Sequence, residues 1–228
     1  MPSLSGSELG TEGVEKTRES IAESPLRSAA VWAMPLLLIA LSCAVELFGD
    51  RGRALLSFDR AAVLDGQWWR LLTGNLAHLG WYHWFLNALG LLVLVLLCPE
   101  RLPAWVWLRR LLLLGLGMTS GLLLFVPDLS NYVGLSGVIH GLFVLGLVPQ
   151  VRRGDLIALG CLLYLVGKIG WELYAGAPVS DEAAIGGRVV VESHLFGVVC
   201  AVIYGLIFRS FGGGEGRRRH PIQEHSSR

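Results

Sequence analysis

Gly134-Leu135-Ser136-Gly137-Val138-Ile139-His140-Gly141 opens an apolar run that continues to Gln150 without a charged residue. A serine between glycines and a histidine one helical turn later are out of place at the head of a segment this greasy. Polar groups carried into hydrocarbon are costly, and an ionisable residue inside such a segment is a functional hypothesis by default. Outward from this stretch, five more apolar runs emerge, so that the six cover about 29–49, 79–98, 104–126, 134–150, 155–174 and 190–209. A helix needs about 20 residues to cross the hydrocarbon core, which leaves the fourth run short. Backbone groups in lipid are satisfied only in helices or closed barrels, and continuous Leu-rich runs specify helices. The expected fold is therefore all-α, a polytopic bundle of six transmembrane helices.

Composition agrees. The chain has 228 residues, of which 53% are hydrophobic and only 16% charged; mean hydropathy is +0.56. That balance excludes an ordinary soluble domain. Cys43, Cys98, Cys161 and Cys200 all fall in or beside apolar runs, without metal-ligand spacing, and read as small buried hydrophobes. Residues 1–28 and 210–228 are rich in polar residues and glycine and have no apolar periodicity, so both are expected to be disordered arms flanking a membrane domain over 29–209. No cleavable signal peptide is expected at the N-terminus.

Loop charges set the expected orientation. Lys16, Arg18, Arg27, Arg101, Arg109, Arg110, Arg152, Arg153 and the arginines from Arg209 onward share one side, which places both termini in the cytoplasm. Arg51, Arg53, Arg60 and Arg70 in the long first loop dissent. That loop and the start of the next run also hold Trp68, Trp69, Trp81 and Trp84, which suit a segment lying in the headgroup region.

Under this topology the fourth and sixth runs both start at the outer face. Ser136 is about three residues into its run and His194 about four into its own, so at 1.5 Å per residue both lie roughly 5–6 Å deep. Gly137-xxx-Gly141 and Ser193-xxx-Gly197-xxx-Ala201-xxx-Gly205 supply the small-residue stripes that let two such helices approach. The second run adds His78-xxxx-His83-xxx-Asn87, in which His83 and Asn87 share a helical face and could donate to an oxyanion or serve as interhelical hydrogen-bond partners. His140 is on the same face as Ser136, suited to a supporting role. Lys168 and Glu172 form an i, i+4 pair read as a structural ion pair. Gly134 fits a backbone that must approach closely before the nucleophile.

Gly134-x-Ser136-Gly137 in the fourth run, His194 in the sixth and His78-xxxx-His83-xxx-Asn87 in the second resemble the rhomboid intramembrane serine proteases, as does Trp69-Arg70 in the first loop. The resemblance covers about residues 30–209. Gly134 to Gly141, Lys168-xx-Trp171-Glu172 and Val190 to Gly197 further resemble the rhombosortase subgroup. It implies Ser136 as nucleophile and His194 as general base, a dyad with no acidic third member, the imidazole being oriented by packing. His83, Asn87 and the Ser136 N–H would hold the oxyanion, with His78, His140, Gly134 and Gly137 in support. It also implies a bacterial inner-membrane location, an active site near the periplasmic side, and substrates that are exported proteins bearing a C-terminal Gly-Gly-type transmembrane sorting tail. Partners would be those tails and the lipid bilayer, not nucleic acid, and no metal or cofactor is expected. Three other readings stand beside this one: a general rhomboid protease with other transmembrane substrates, a non-catalytic rhomboid-like helix-binding protein, and a histidine-based metal or haem protein. A transporter is disfavoured by the few polar groups in runs one, three and five.

Overall fold

The computed structural model describes residues 28–212, and the two terminal arms expected from the sequence lie outside those residues apart from their innermost positions. Ten α-helices, one two-residue strand pair and a short 3-10 helix at Ser210–Gly212 make up the regular structure there. The six long helices are α1 (Ala29–Leu47), α5 (Trp81–Leu97), α6 (Ala104–Phe125), α7 (Ser136–Val151), α8 (Leu156–Ala175) and α10 (Val191–Ile207). Each lies within about two residues of its apolar run. By length and composition α1, α6 and α8 can cross a membrane; α5, α7 and α10 are shorter apolar helices of 17, 16 and 17 residues.

Local chemistry sets the helix ends. Asp155 caps α8, its carboxylate accepting from the N–H groups of Ile157 at 2.9 Å and Ala158 at 3.0 Å. Gly176 then stops the same helix in the left-handed conformation, at φ +66°. The cap at one end and the glycine at the other frame the 20-residue helix that carries Lys168 and Glu172.

α7 sits at the centre, with most of its side chains buried, and packs along α10 on one flank and against α5, α6 and α8 elsewhere. Small residues make the α7–α10 contact: the position of a Cβ on Gly141 would fall 2.7 Å from the Gly197 carbonyl oxygen, and one on Gly137 would fall 2.7 Å from that of Ser193. The first half of the paired stripes read in the sequence is thus the seam of the bundle, with Ser193 and Gly197 buried against α7, while Gly205 farther along α10 packs against Phe211.

The first loop folds into α2 (Gly49–Leu56), α3 (Arg60–Leu64) and α4 (Arg70–Thr73). Between α2 and α3, strand β1 (Phe58–Asp59) pairs antiparallel with β2 (Asn131–Tyr132), with Phe58 opposite Tyr132. The loop's arginines do interior work. Arg60 donates to the carbonyls of Leu122, Leu123, Val126 and Leu129, capping the end of α6 at 2.6–3.1 Å. Arg70 is buried and donates to the Ala54 and Ser57 carbonyls and to Gln67. Arg53 bridges Glu46 at 2.8 Å and Asp50 at 2.5 Å. Three of the four arginines that dissent from the charge pattern are therefore committed to folding the loop. Trp68 and Trp69 remain outside, 60% and 50% exposed.

Candidate active site

The strand pair and the loop behind it present the serine. Tyr132 Oη donates to the Gly134 carbonyl at 2.7 Å, and the Gly134 N–H donates to the Gly74 carbonyl at 3.1 Å. Gly134 itself has φ +127°, and a Cβ there would lie 2.8 Å from His83 Cε1. Conformation and space therefore both demand glycine. Two residues later Ser136 is the first residue of α7, rather than about three residues into its helix. That position puts its hydroxyl beside a helix N-terminus, where first-turn N–H groups lack intrahelical acceptors and the macrodipole favours negative charge.

Ser136 Oγ lies 3.0 Å from Nε2 of His194, across the glycine seam from α7 to α10. His194, the fourth residue of α10, is buried. A neutral imidazole accepting from a serine hydroxyl is the arrangement that activates it as a nucleophile. His140 does not compete for this place. Its Nδ1 is 2.7 Å from the backbone carbonyl of Ser136, its Nε2 is 3.2 Å from Lys168 Nζ, and its ring stacks on that of His194 at 4.1 Å between centroids. His140 thus stacks beside His194 and faces the Ser136 carbonyl instead of the Ser136 hydroxyl.

One expectation is corrected. The other nitrogen of His194, Nδ1, lies 2.8 Å from Glu172 Oε2, so a carboxylate holds the imidazole in addition to packing. Glu172 is 1% exposed, and its Oε1 accepts from Lys168 at 2.7 Å. The i, i+4 ion pair was legible in the sequence; its reach to α10 was not, because each carboxylate oxygen faces a different element and only the helix packing selects them.

On α5, His83 and Asn87 are buried on the face toward this centre. The Leu79 N–H donates to His83 Nδ1 at 3.3 Å, which leaves Nε2 to carry the ring proton, on the side facing Gly134. Asn87 Nδ2 donates to the His83 carbonyl at 2.9 Å, so one of its two N–H groups is committed to its own helix. His78 lies just before α5, fully buried, edge-on to His83 at 5.1 Å, with no hydrogen-bond partner for either ring nitrogen among the described residues. Burial, with a smaller contribution from neighbouring His83, pushes its imidazole down to about 3. Gly137 faces Ser193 in the seam rather than the reacting atoms.

A cavity of about 510 Å³ joins these groups. Ser136, His83, Asn87, His140, Lys168 and His194 gather along its lining, and apolar side chains of α5, α7 and α8, among them Val93, Phe143 and Tyr164, continue it away from them. Ser180, Ile185 and Val189 from the segment between α8 and α10 border it as well. That segment contains the short helix α9 (Glu182–Ile185) and is pinned by Val189 N–H donating to Glu182 at 2.8 Å.

A serine hydroxyl and an imidazole in contact inside an apolar helical bundle define a class: multi-pass membrane proteins with a hydrolase-like polar centre. Residues 65–211 match the rhomboid domain family, and the chain belongs to that family. It is also 32% identical over 140 residues to a Bacillus subtilis (strain 168) protein named "Putative rhomboid protease YdcA". The aligned region is 60% of this chain, and it spans about 65% of the length of that curated relative.

Proposed function

We propose that this protein is an intramembrane serine endopeptidase that cleaves the C-terminal, Gly-Gly-type transmembrane sorting tails of exported bacterial proteins. The observation that carries the peptidase reading is the 3.0 Å contact between Ser136 Oγ and His194 Nε2. Family membership and the name of the Bacillus relative support it. The tail specificity rests on the resemblance of the segments around Ser136, Lys168 and His194 to the rhombosortases. The apolar extension of the cavity supports a greasy, extended substrate segment.

In this reading Ser136 Oγ attacks the scissile carbonyl and passes its proton to His194 Nε2. The oxyanion that forms is met by His83 Nε2–H, the remaining Asn87 N–H and the Ser136 backbone N–H, donors fixed before the reaction begins. His194 then protonates the leaving amine. Water, or another nucleophile in a transfer reaction, releases the acyl group from Ser136 by the same route reversed. Hydrogen-bonded helical backbone resists such attack, and glycine, the weakest helix former after proline, favours local unwinding of the tail. All six long helices cross the inner membrane with both termini cytoplasmic, which places Ser136 near the periplasmic leaflet. A non-catalytic helix-binding role is disfavoured by the retention of both Ser136 and His194.

Deletion of the gene should leave an exported protein accumulating with its C-terminal anchor attached. Wild-type chain should restore processing, and Ser136→Ala should not, although it reaches the membrane in equal amount. Processing restored by Ser136→Ala would refute the assignment.

A further inference from the structure

We propose that Glu172 is the positioning residue of a Ser136–His194–Glu172 triad and that Lys168 holds that carboxylate in place. The proposal rests on the peptidase reading above and deepens it. Its basis is a proton inventory that closes in only one way around the four side chains.

The groups around Glu172 are hydrogen-bond donors. Lys168 Nζ donates to Oε1 at 2.7 Å, and the Val179 N–H donates to the same oxygen at 3.3 Å. With an ammonium against it, Glu172 is an acceptor-only carboxylate, so the hydrogen between its Oε2 and His194 Nδ1, 2.8 Å apart, belongs to the ring. A neutral imidazole carries one N–H. Nδ1 therefore has it, and Nε2 presents its lone pair to Ser136 Oγ–H at 3.0 Å. The neighbouring ring is locked in the same manner: His140 Nδ1–H donates to the Ser136 carbonyl, and its Nε2 accepts from Lys168. Lys168 thus touches both histidine systems without offering either an acceptor.

The consequence is chemical as well as geometric. When the Ser136 proton moves to His194 Nε2, the ring becomes an imidazolium with both nitrogens protonated, inside a site where His194 and Glu172 are 4% and 1% exposed. The charge that appears faces a carboxylate already in contact, and no proton passes to Glu172. Packing alone, including the stacked His140 ring, could hold the plane of His194 but could not choose its tautomer. Lys168 offsets the Glu172 charge before the reaction, so the buried carboxylate has a partner in both states.

The alternative is that Lys168 and Glu172 form only a structural ion pair. The two readings separate on substitution. In Glu172→Gln the side-chain oxygen turns toward Lys168 and Val179, both donors, which leaves the amide N–H₂ facing His194 and favours the unproductive tautomer. In the double variant Lys168→Met, Glu172→Met both charges go together, a change that an ion pair with a purely structural role tolerates.

The test uses full-length protein in lipid and the rate of covalent labelling by a fluorophosphonate probe, which reports an activated serine without requiring a known substrate. Wild type should label, and Ser136→Ala should not; failure of either would overturn the peptidase reading and this proposal with it. Glu172→Gln and the double variant should label more slowly by on the order of 10⁴-fold, the scale seen when a serine-protease histidine loses its acidic partner. Wild-type labelling by the folded double variant, its folding checked by thermal unfolding, would overturn the triad while leaving Ser136 and His194 in their roles. A measurement on unsubstituted protein stands beside these: ¹⁵N spectra at neutral pH should show His194 protonated at Nδ1, and protonation at Nε2 alone would overturn the proposal.

Discussion

Gly197 lies so close to Gly137 that a Cβ added to it would overlap the Gly137 carbonyl oxygen. Backbone therefore rests on backbone at the level where Ser136 and His194 face each other. Gly197→Ala cannot be accommodated by turning a side chain; α7 and α10 must separate. Overpacking of this kind costs roughly 1–3 kcal/mol. The expected outcome is a lower unfolding temperature in detergent together with loss of fluorophosphonate labelling. A variant with wild-type values for both would show that the seam does not set the Ser136–His194 distance.

His83 and Asn87 are expected to act on the transition state. Loss of one oxyanion donor costs on the order of 10²–10³ in kcat. Asn87→Ala should show that loss with KM little changed, measured on a reporter carrying a cleavable tail. His83→Ala should fall further, because His83 also accepts from the Leu79 N–H at 3.3 Å and closes over Gly134. An Asn87→Ala variant that changes KM alone would place that side chain in substrate binding instead.

Arg60 carries a stability prediction independent of chemistry. Its guanidinium serves four carbonyls, those of Leu122, Leu123, Val126 and Leu129. Hydrogen bonds to a charged group contribute about 1.5–3 kcal/mol each at most, and water recovers part of that at a helix end. Arg60→Ala should therefore destabilise by about 2–4 kcal/mol in reversible unfolding. Arg60→Lys should rescue little, since a single ammonium cannot span the same set of oxygens.

His78 makes unfolding pH-dependent. Its imidazole is held down to about 3 in the folded chain, against 6.5 for the free side chain. Below pH 6.5 the unfolded chain takes up a proton that the folded chain refuses, so stability falls as pH falls, by about 1.4 kcal/mol per unit at most. Above pH 6.5 the effect vanishes. His78→Leu should flatten the dependence of unfolding temperature on pH between about 6 and 4, relative to wild type; an unchanged slope would show that other groups set it.

Much of this architecture is legible in the amino-acid order because apolar helices announce themselves one at a time. Leu-rich runs gave the long helices to within about two residues, and the glycine stripes named the faces on which α7 and α10 meet. Ser136 and His194 were legible because each is a polar intruder in an apolar run. The contact between His194 and Glu172 was not. Periodicity places Glu172 beside Lys168 on its own helix but says nothing of how α8 is rotated toward α10. The first loop was similarly opaque: Arg53, Arg60 and Arg70 look like free surface charge until their distant acceptors are known. The strand pairing of Phe58 with Tyr132 involves two residues on each side, too few to leave a period.

The Arg60 clamp has a bearing on how the chain is assembled. The last carbonyls of the third apolar helix lack intrahelical partners, and the group that completes them comes from more than sixty positions earlier in the chain. Synthesis runs from the amino end, so the finishing piece is made before the end it finishes. A chain stalled before residue 122 would carry Arg60 without its acceptors, so this clamp closes only when the third long helix is complete.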